Sequence, residues 1–167
     1  MSARHSLFTR RFLFTRRFLI SLLVIPVLSV PGAAAAQDNP EFLTDPAMEA
    51  LGLPFSDAVR VGDLLFLSGQ VGSVPGKEQL VEGGIEAETR QTMENIRATL
   101  ERHGSALDRV IKCTVFMADI SEWAAMNVVY ASFFPGPKPA RSAAGASGLA
   151  LGARVEIECI ALAGQGP

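Results

Sequence analysis

Apolar and polar residues repeat with two different periods along most of this chain, and the change of period marks short strands and two helices. Two apolar runs, Ala58 to Val61 and Leu64 to Ser68, are separated by Gly62-Asp63, a pair typical of a tight hairpin turn because glycine accepts a positive φ. From Ile85 to His103 the apolar residues fall on one side of a helix, and Gly104 is a helix stop signal. The pattern therefore predicts a β-hairpin followed by an amphipathic helix.

The second half of the chain repeats this alternation of strand and helix. Val110 to Met117 is rich in β-branched residues and predicts a buried strand. Ser121 can cap a second helix that runs to about Phe134, where a group of prolines prevents its continuation. The apolar face of this helix carries three residues: Trp123, Met126 and Tyr130. Two further strands are predicted at Ala140 to Ser147 and Ala153 to Leu162.

The predicted order is ββαβαββ, which indicates an α/β (α+β) domain with one mixed sheet and two helices on one face. Strand residues Cys113 to Met117 and Val155 to Ile160 are apolar at both parities, so both faces of the sheet are expected to be buried. Self-association is the economical explanation. The alternative is that the segment from Gln37 to Leu53 folds back over the second face.

The first 36 residues differ in composition from the rest of the chain. They carry five arginines and no acidic residue, followed by an uncharged apolar run and by Ala34-x-Ala36. This order is typical of a cleavable signal peptide, so the chain is divided into a leader (1–36), an arm (37–53) and a domain (54–167), and a periplasmic or secreted location is expected. An uncleaved membrane anchor is the alternative, although prolines shorten the apolar run. The Arg-Arg pairs are a weak hint of twin-arginine export.

Charge and cysteine content narrow the function. Residues 37–167 contain 17 acidic and ten basic residues, a net charge of −7, which argues against nucleic acid as the main partner. Cys113 and Cys159 lie 46 positions apart without any zinc-type spacing, so no metal site is expected. They are expected to be buried free thiols, with pairing in an oxidising compartment as the alternative. His103 is expected to be a solvated residue at a helix end.

Two segments remain as candidates for chemistry. Arg141 follows a stiff proline-rich loop and precedes small residues, so its guanidinium could bind a carboxylate through two charge-assisted hydrogen bonds. A structural salt bridge is the equal alternative. Glu156 and Glu158 share strand parity and point to one face, where a carboxylate could position water or move a proton. A purely structural role is the default interpretation for each glutamate.

These residues lie within a region of about 110 residues that closely resembles the reactive intermediate deaminase (RidA) family. The matching segments are Pro54-Phe-Ser-Asp-Ala58, Phe66-Leu-Ser-Gly-Gln70, Glu88-Thr-Arg-Gln91 with Glu94-Asn95, Val110-Ile-Lys-x-Thr-Val-Phe116, Met126-Asn-Val-Val-Tyr130, Pro139-Ala-Arg-Ser142 and Val155-Glu-Ile-Glu158. Together these segments are highly specific, although each one alone is a weak signal.

The resemblance implies a chorismate-mutase-like fold and a homotrimer with sites in the clefts between subunits. It implies hydrolysis of 2-aminoacrylate and related enamine or imine acids to 2-oxo acids and ammonia, with no metal and no organic cofactor. Arg141 matches the family arginine that holds the substrate carboxylate, and Glu156 matches the glutamate associated with the attacking water. Ser68, Gly69 and Asn127 match positions that line the cleft.

Two further positions of the expected substrate site depart from the family pattern. Phe55 stands where many deaminating members have tyrosine, and Ala143 stands where many have cysteine or a β-branched residue. The leading hypothesis is an exported imine deaminase that does not associate with the membrane once its leader has been cleaved. Retention of Arg141 and Glu156 favours this enzyme. The missing phenol favours the alternative, a non-catalytic member that binds small carboxylates or proteins, and ribonuclease activity ranks third because the domain is acidic.

Overall fold

The computed structural model describes residues 39–50 and 52–164, so the predicted leader lies outside the described residues. The helices are α1 (Pro46–Glu49), α2 (Gly84–Arg102) and α3 (Trp123–Ser132), with short 3₁₀ turns at Leu107–Arg109, Ile120–Glu122 and Ala150–Gly152. The strands are β1 (Glu41–Leu43), β2 (Ala58–Val61), β3 (Leu64–Leu67), β4 (Gln70–Val71), β5 (Val110–Met117), β6 (Ala140–Gly145) and β7 (Val155–Leu162). Among the described residues, no helix combines the length and the apolar character needed to cross a membrane.

All seven strands form one mixed sheet, which confirms the predicted fold class. The strand order is β1-β2-β3-β7-β5-β6, with β4 also paired to β7. Among the strands of the described residues, only β5 and β6 are parallel, and they are connected through α3. The hairpin turn is confirmed, since Gly62 has a φ of 55°. The strands β1 and β4 are additional to the predicted order.

The two faces of the sheet differ in burial. On β7, Val155, Ile157 and Cys159 are at most 1% exposed and belong to the core beneath the helices. The alternate residues face the other side, where Glu156 is half-buried and Leu162 is 40% exposed. A single chain therefore buries one face only, and the predicted burial of the other face depends on self-association. Apolar residues on this open face keep self-association as a prediction.

The arm extends the sheet instead of lying across its open face. Strand β1 pairs antiparallel with β2, so it becomes the edge strand and leaves Phe42 72% exposed. The turn after β1 is fixed on the helix side of the sheet. The Asp45 carboxylate lies 2.8 Å from the guanidinium of Arg102 on α2, and the backbone N–H of Asp45 donates to the Asp57 carboxylate at 2.8 Å. The alternative in which the arm covers the second face is therefore wrong.

His103 was expected in solvent, and this expectation is wrong. Its side chain is only 9% exposed, and its Nε2 atom lies 3.7 Å from the buried carboxylate of Asp57. Burial lowers the pKa of His103, and this effect outweighs the opposite effect of the neighbouring Asp57 carboxylate. The long helix ends as predicted, with Gly104 at a φ of 76°, but Asp57 and Arg60 contact the histidine just before it.

The second helix begins one residue later than predicted. The side chain of Asp119, not that of Ser121, provides the cap, since its Oδ1 accepts a hydrogen bond from the Ser121 backbone N–H at 2.9 Å. This cap starts the 3₁₀ turn Ile120–Glu122, and α3 follows from Trp123. Aspartate is among the preferred capping residues because its short carboxylate reaches the free N–H groups at the start of a helix.

Cys113 and Cys159 form a disulfide, so the expectation of two free thiols is wrong. They are directly opposite each other in the antiparallel pairing of β5 with β7, with Cα atoms 4.1 Å apart. Both residues are buried within the core beneath the helices. The sequence separation gave no sign of this pairing, because the register of two distant strands is set by tertiary packing.

Candidate active site

An open groove of about 270 Å³ lies between α3 and the sheet-edge strand β6. Its lining residues are Asn127, Tyr130, Ala131, Lys138, Pro139 and Arg141. Trp123, Asn127 and Tyr130 are spaced at i, i+4 and i+7, so they form one stripe along α3. The proline-rich loop after α3 brings the chain back as β6, which places Arg141 beside this stripe. One helix face and one strand therefore define the groove.

Arg141 is held by aromatic rings. Its Cζ atom lies 4.8 Å from the ring centroid of Tyr130 and 5.8 Å from that of Trp123. No carboxylate of the described residues lies within 4.0 Å of the guanidinium, so the structural salt bridge that was weighed for Arg141 is not formed in this chain. A half-buried cation without a counter-ion is suited to binding an anionic ligand.

Two polar atoms in the groove lack partners. Asn127 Oδ1 and the Tyr130 hydroxyl are buried, and neither has a hydrogen-bond partner among the described residues. Burial raises the pKa of Tyr130 to about 12, against the opposing effect of Arg141, so the phenol keeps its proton at neutral pH. The groove thus offers an amide acceptor and a hydroxyl donor near the cation. Lys138 adds a second positive charge and donates to Phe134 O at 2.9 Å.

Ala143 lies two residues beyond Arg141 on the same side of β6. The register supports this placement, because Arg141 is opposite buried Cys113 and Ala143 is opposite buried Val115. Ala143 is half-buried and packs against the core. Its side chain is a single methyl group on the helix side of the strand, two residues from Arg141.

Glu156 and Gly69 form a second cluster around the strand β7. A Cβ atom at Gly69 would overlap Glu156 Oε1, so glycine is required for this close approach. The preceding Ser68 is fixed by two hydrogen bonds, from its hydroxyl to Ser56 O at 2.6 Å and from its N–H to Asp57 O at 3.0 Å. The structure therefore brings Ser68, Gly69 and Glu156 together.

Phe55 lies near this second cluster but lines a different depression. It precedes Ser56, the acceptor of the Ser68 hydroxyl, and its side chain is 51% exposed. The depression has a volume of about 540 Å³. Its walls come from the arm and the segment before β2: Phe42, Thr44, Glu49, Leu53, Pro54, Phe55 and Ser56.

The surroundings of Glu156 raise the pKa of its carboxyl group. Partial burial raises its pKa above the ordinary value, and the neighbouring charge of Glu158 raises it further. Glu158 is on the same open face of β7 and is exposed. A carboxyl whose pKa moves toward neutrality transfers protons more readily at physiological pH.

In one chain, Arg141 and Glu156 lie on opposite faces of the sheet. Arg141 is next to Cys113, which faces the helices, whereas Glu156 is opposite Phe116 on the open side of β5. The structure therefore does not bring these two residues together within a chain. It divides the expected site residues into a groove half (Asn127, Arg141, Ala143) and an open-face half (Ser68, Gly69, Glu156), with Phe55 beside the latter.

Sequence reasoning missed Lys138, which lines the groove, and the contact of the Trp123 ring with Arg141. Trp123 was assigned to the apolar face of its helix with Met126, but it is 45% exposed, whereas Met126 is fully buried. The i, i+4, i+7 spacing from Trp123 to Tyr130 was a usable signal, because Asn127 in the middle of that stripe is polar. Among the described residues, no cluster of His, Cys, Asp and Glu could hold a metal ion.

Known proteins resemble this chain over most of its length. A family model described as Endoribonuclease L-PSP matches residues 45–163. The 2-iminobutanoate/2-iminopropanoate deaminase of Mus musculus is 41% identical over 124 residues, which cover 74% of this chain and 90% of the mouse protein. Reactive Intermediate Deaminase A, chloroplastic, of Arabidopsis thaliana is 36% identical over 136 residues, covering 81% of this chain and 72% of the plant protein.

The fold also resembles solved structures. The crystal structure of RidA from the Antarctic bacterium Psychrobacter sp. PAMC 21119 aligns with a TM-score of 0.63 and 38% identity. The alignment covers 66% of this chain and 89% of the bacterial protein. The mixed sheet with its two helices is thus similar to an experimentally determined arrangement.

Proposed function

This chain belongs to the reactive intermediate deaminase (RidA) family, and we propose that it hydrolyses 2-imino and 2-enamino acids of the 2-aminoacrylate type to 2-oxo acids and ammonia. The observation that carries the proposal is Arg141, a half-buried cation without a carboxylate partner among the described residues. An imino acid brings the carboxylate that this guanidinium lacks. The reaction is assigned to the chain's own residues, without a metal or organic cofactor.

The proposed chemistry is the addition of water to an activated carbon. Arg141 binds the substrate carboxylate through two N–H donors and orients the adjacent C=N bond. An enamine first takes up a proton at its β-carbon and becomes the imine. Glu156 then accepts a proton from a water molecule as the water oxygen bonds to the carbon of the protonated imine, and it returns this proton to the nitrogen of the resulting carbinolamine. The carbinol hydroxyl loses its proton to solvent as the C–N bond breaks, which releases the 2-oxo acid and ammonia. General acid–base help contributes about 10²–10⁴-fold to such a step.

The proposed site is completed by a second copy of the chain. Arg141 and Glu156 lie on opposite faces of the sheet, so one chain cannot present both to one small substrate. The apolar residues on the open face, including Phe66 and Leu162, support self-association through that face. We propose a homotrimer in which each site takes its groove half from one subunit and its open-face half from the next.

Mixing two inactive variants tests this division. Arg141→Ala and Glu156→Gln proteins are each expected to be inactive, and subunit exchange between them by mild denaturation and refolding is expected to restore activity. In random mixed trimers, about a quarter of the sites combine an intact Arg141 with an intact Glu156. The mixture is therefore expected to recover about a quarter of the wild-type activity in an ammonia-release assay.

The control for this experiment is the double variant carrying both changes, mixed with Arg141→Ala in the same way. No subunit in that mixture retains Arg141, so no site can combine the two residues and activity should stay absent. Recovery in the control, or none in the test mixture despite trimers that form normally, would contradict the shared site.

The pH profile of the reaction tests the role of Glu156. As a base, Glu156 must be ionised, so activity is expected to fall as the pH drops through its raised pKa, at a pH above the ordinary glutamate value of 4.5. Glu158→Gln removes the charge that helps to raise this pKa, so the acidic limb is expected to move to lower pH. The measurement is kcat/KM against pH for both proteins. An acidic limb that stays at the same pH in a folded Glu158→Gln variant would argue against Glu156 as the base.

A non-catalytic binding protein is the second candidate, and Phe55 is the observation that favours it. The exposed ring offers no hydroxyl to a substrate or a water molecule. A binding protein would hold 2-oxo acids through Arg141 without accelerating ammonia release. Parallel binding and ammonia assays on the purified protein distinguish the two functions.

We also propose that the protein is exported and works in the periplasm or outside the cell. The support is the basic, apolar and small-residue order of residues 1–36. N-terminal sequencing of extracytoplasmic protein is expected to begin near Gln37. Recovery of the uncleaved chain in membranes would contradict cleavage.

A further inference from the structure

We propose that Trp123 and Ala143 form a subsite for the substrate side chain, which makes the protein prefer imino acids with aromatic or long apolar side chains over the methylene-sized group of 2-aminoacrylate. This inference rests on the proposed function, because it takes Arg141 as the carboxylate anchor. It adds a side-chain preference that the anchor alone does not provide.

The first support is the position of Trp123. Its indole is 45% exposed at the start of α3, although a side chain of this size usually contributes to the core. The ring centroid lies 5.8 Å from the Arg141 Cζ atom. The carboxyl carbon of a bidentate ligand lies about 4 Å from that Cζ. The remainder of the ligand is then within contact distance of the indole, provided that it has several carbons.

The second support is the space beside Arg141. The groove holds about 270 Å³, and one water-sized group occupies about 30 Å³ in the liquid, so the groove has room for about nine non-hydrogen atoms. The 2-aminoacrylate ion has only six. Ala143 lies just beyond the lining of this groove, next along the same side of β6, where its side chain is only a methyl group. A small substrate would therefore leave part of the groove filled with water.

The third support is the division of polar and apolar groups along the helix stripe. Asn127 Oδ1 and the Tyr130 hydroxyl, both without partners among the described residues, lie one helical turn apart. Asn127 Oδ1 can accept a hydrogen bond from the imine nitrogen, and the Tyr130 hydroxyl can donate one to a carboxylate oxygen. Trp123 lies at the other end of the stripe and offers an apolar surface. The polar head and the apolar side chain of an imino acid thus have separate places.

The experiment compares imino acids generated in place by an amino-acid oxidase from alanine, leucine and phenylalanine. The wild-type protein is expected to have a higher kcat/KM for the phenylalanine-derived imine than for the alanine-derived one. Trp123→Ala is expected to lower that ratio about tenfold, the amount that an aromatic contact typically contributes. Trp123→Phe should retain most of the preference. Val128→Ala is the matched control, since Val128 is on the same helix and 73% exposed.

The ratio of kcat/KM values between substrates distinguishes a side-chain subsite from a general role of Trp123 in holding Arg141. If Trp123 only holds Arg141 in place, Trp123→Ala lowers kcat/KM equally for all three substrates, and an unchanged ratio overturns the subsite. Binding provides an independent measurement, because the 2-oxo acids pyruvate and phenylpyruvate carry the same carboxylate and the same side chains. Equal calorimetric affinities for the two in the wild-type protein would also overturn it.

The binding measurement distinguishes this proposal from the proposed function. A protein that accelerates no imine hydrolysis but binds phenylpyruvate more tightly than pyruvate, with dependence on Trp123, supports the subsite and refutes the deaminase. A protein that hydrolyses all imines without regard to Trp123 supports the deaminase and refutes the subsite.

Discussion

Replacing Arg141 by alanine is expected to lower kcat/KM for imine hydrolysis by about 10²–10³-fold, because each charge-assisted hydrogen bond to a carboxylate contributes about 1.5–3 kcal/mol. Arg141→Lys keeps the charge but loses the planar fork, so an intermediate loss is expected. The fold should tolerate both changes, since Arg141 forms no ion pair with the described residues and lies at an edge strand. The measurement is the rate of ammonia and 2-oxo acid release from enzymatically generated 2-aminoacrylate.

Lys138→Ala is the matched control for this substitution. Lys138 is the other cation of the groove, but it is exposed and already donates to a backbone carbonyl. Its removal is expected to change kcat/KM only slightly. If Arg141→Ala and Lys138→Ala lost activity to the same extent, the groove would act through its general positive potential and not through a bidentate anchor at Arg141.

Removing the disulfide is expected to cause the largest loss of stability. The bond closes a loop of 46 residues, for which the chain-entropy model gives a contribution of about 4 kcal/mol. The variant Cys113→Ala with Cys159→Ala is therefore expected to unfold at markedly lower denaturant concentration than the oxidised wild type. The measurement is equilibrium unfolding in urea, followed by circular dichroism.

Reductant separates the effect of the bond from that of the side chains. The wild type unfolded and refolded with a thiol reductant loses the bond but keeps both sulfur atoms in the core, whereas the double alanine variant also loses their packing. The reduced wild type is expected to lie between the other two, and reductant should not affect the variant. Equal stability of the oxidised and reduced wild type would contradict a stabilising role for the bond.

The local pattern of the sequence was sufficient for most of the secondary structure. The hairpin at Gly62, the long helix and the strand Val110–Met117 follow from periodicity and turn chemistry, which depend on neighbouring residues only. The wrong predictions concern contacts between distant segments. The pairing of Cys113 with Cys159 depends on strand register, and the environment of His103 depends on its contacts with the distant residues Asp57 and Arg60.

The candidate site shows the same limit. Arg141 and Glu156 could be chosen from residue type and family resemblance, since a fork-shaped cation and a strand carboxylate suit the chemistry. Their placement on opposite faces could not be read from the chain, because it requires the register of β5 with both of its neighbours. The aromatic support of Arg141 was partly visible in the spacing of the helix that carries Tyr130.

The bridge between β5 and β7 also links the lifetime of this protein to its compartment. A contribution of about 4 kcal/mol corresponds to about a thousandfold change in the unfolded fraction. Copies retained in a reducing cytoplasm would lack the bridge, open more often and become substrates for proteases. Copies that reach an oxidising compartment would form the bridge, unfold less often and persist. Proteolytic quality control would then remove copies in a reducing compartment without any dedicated recognition signal.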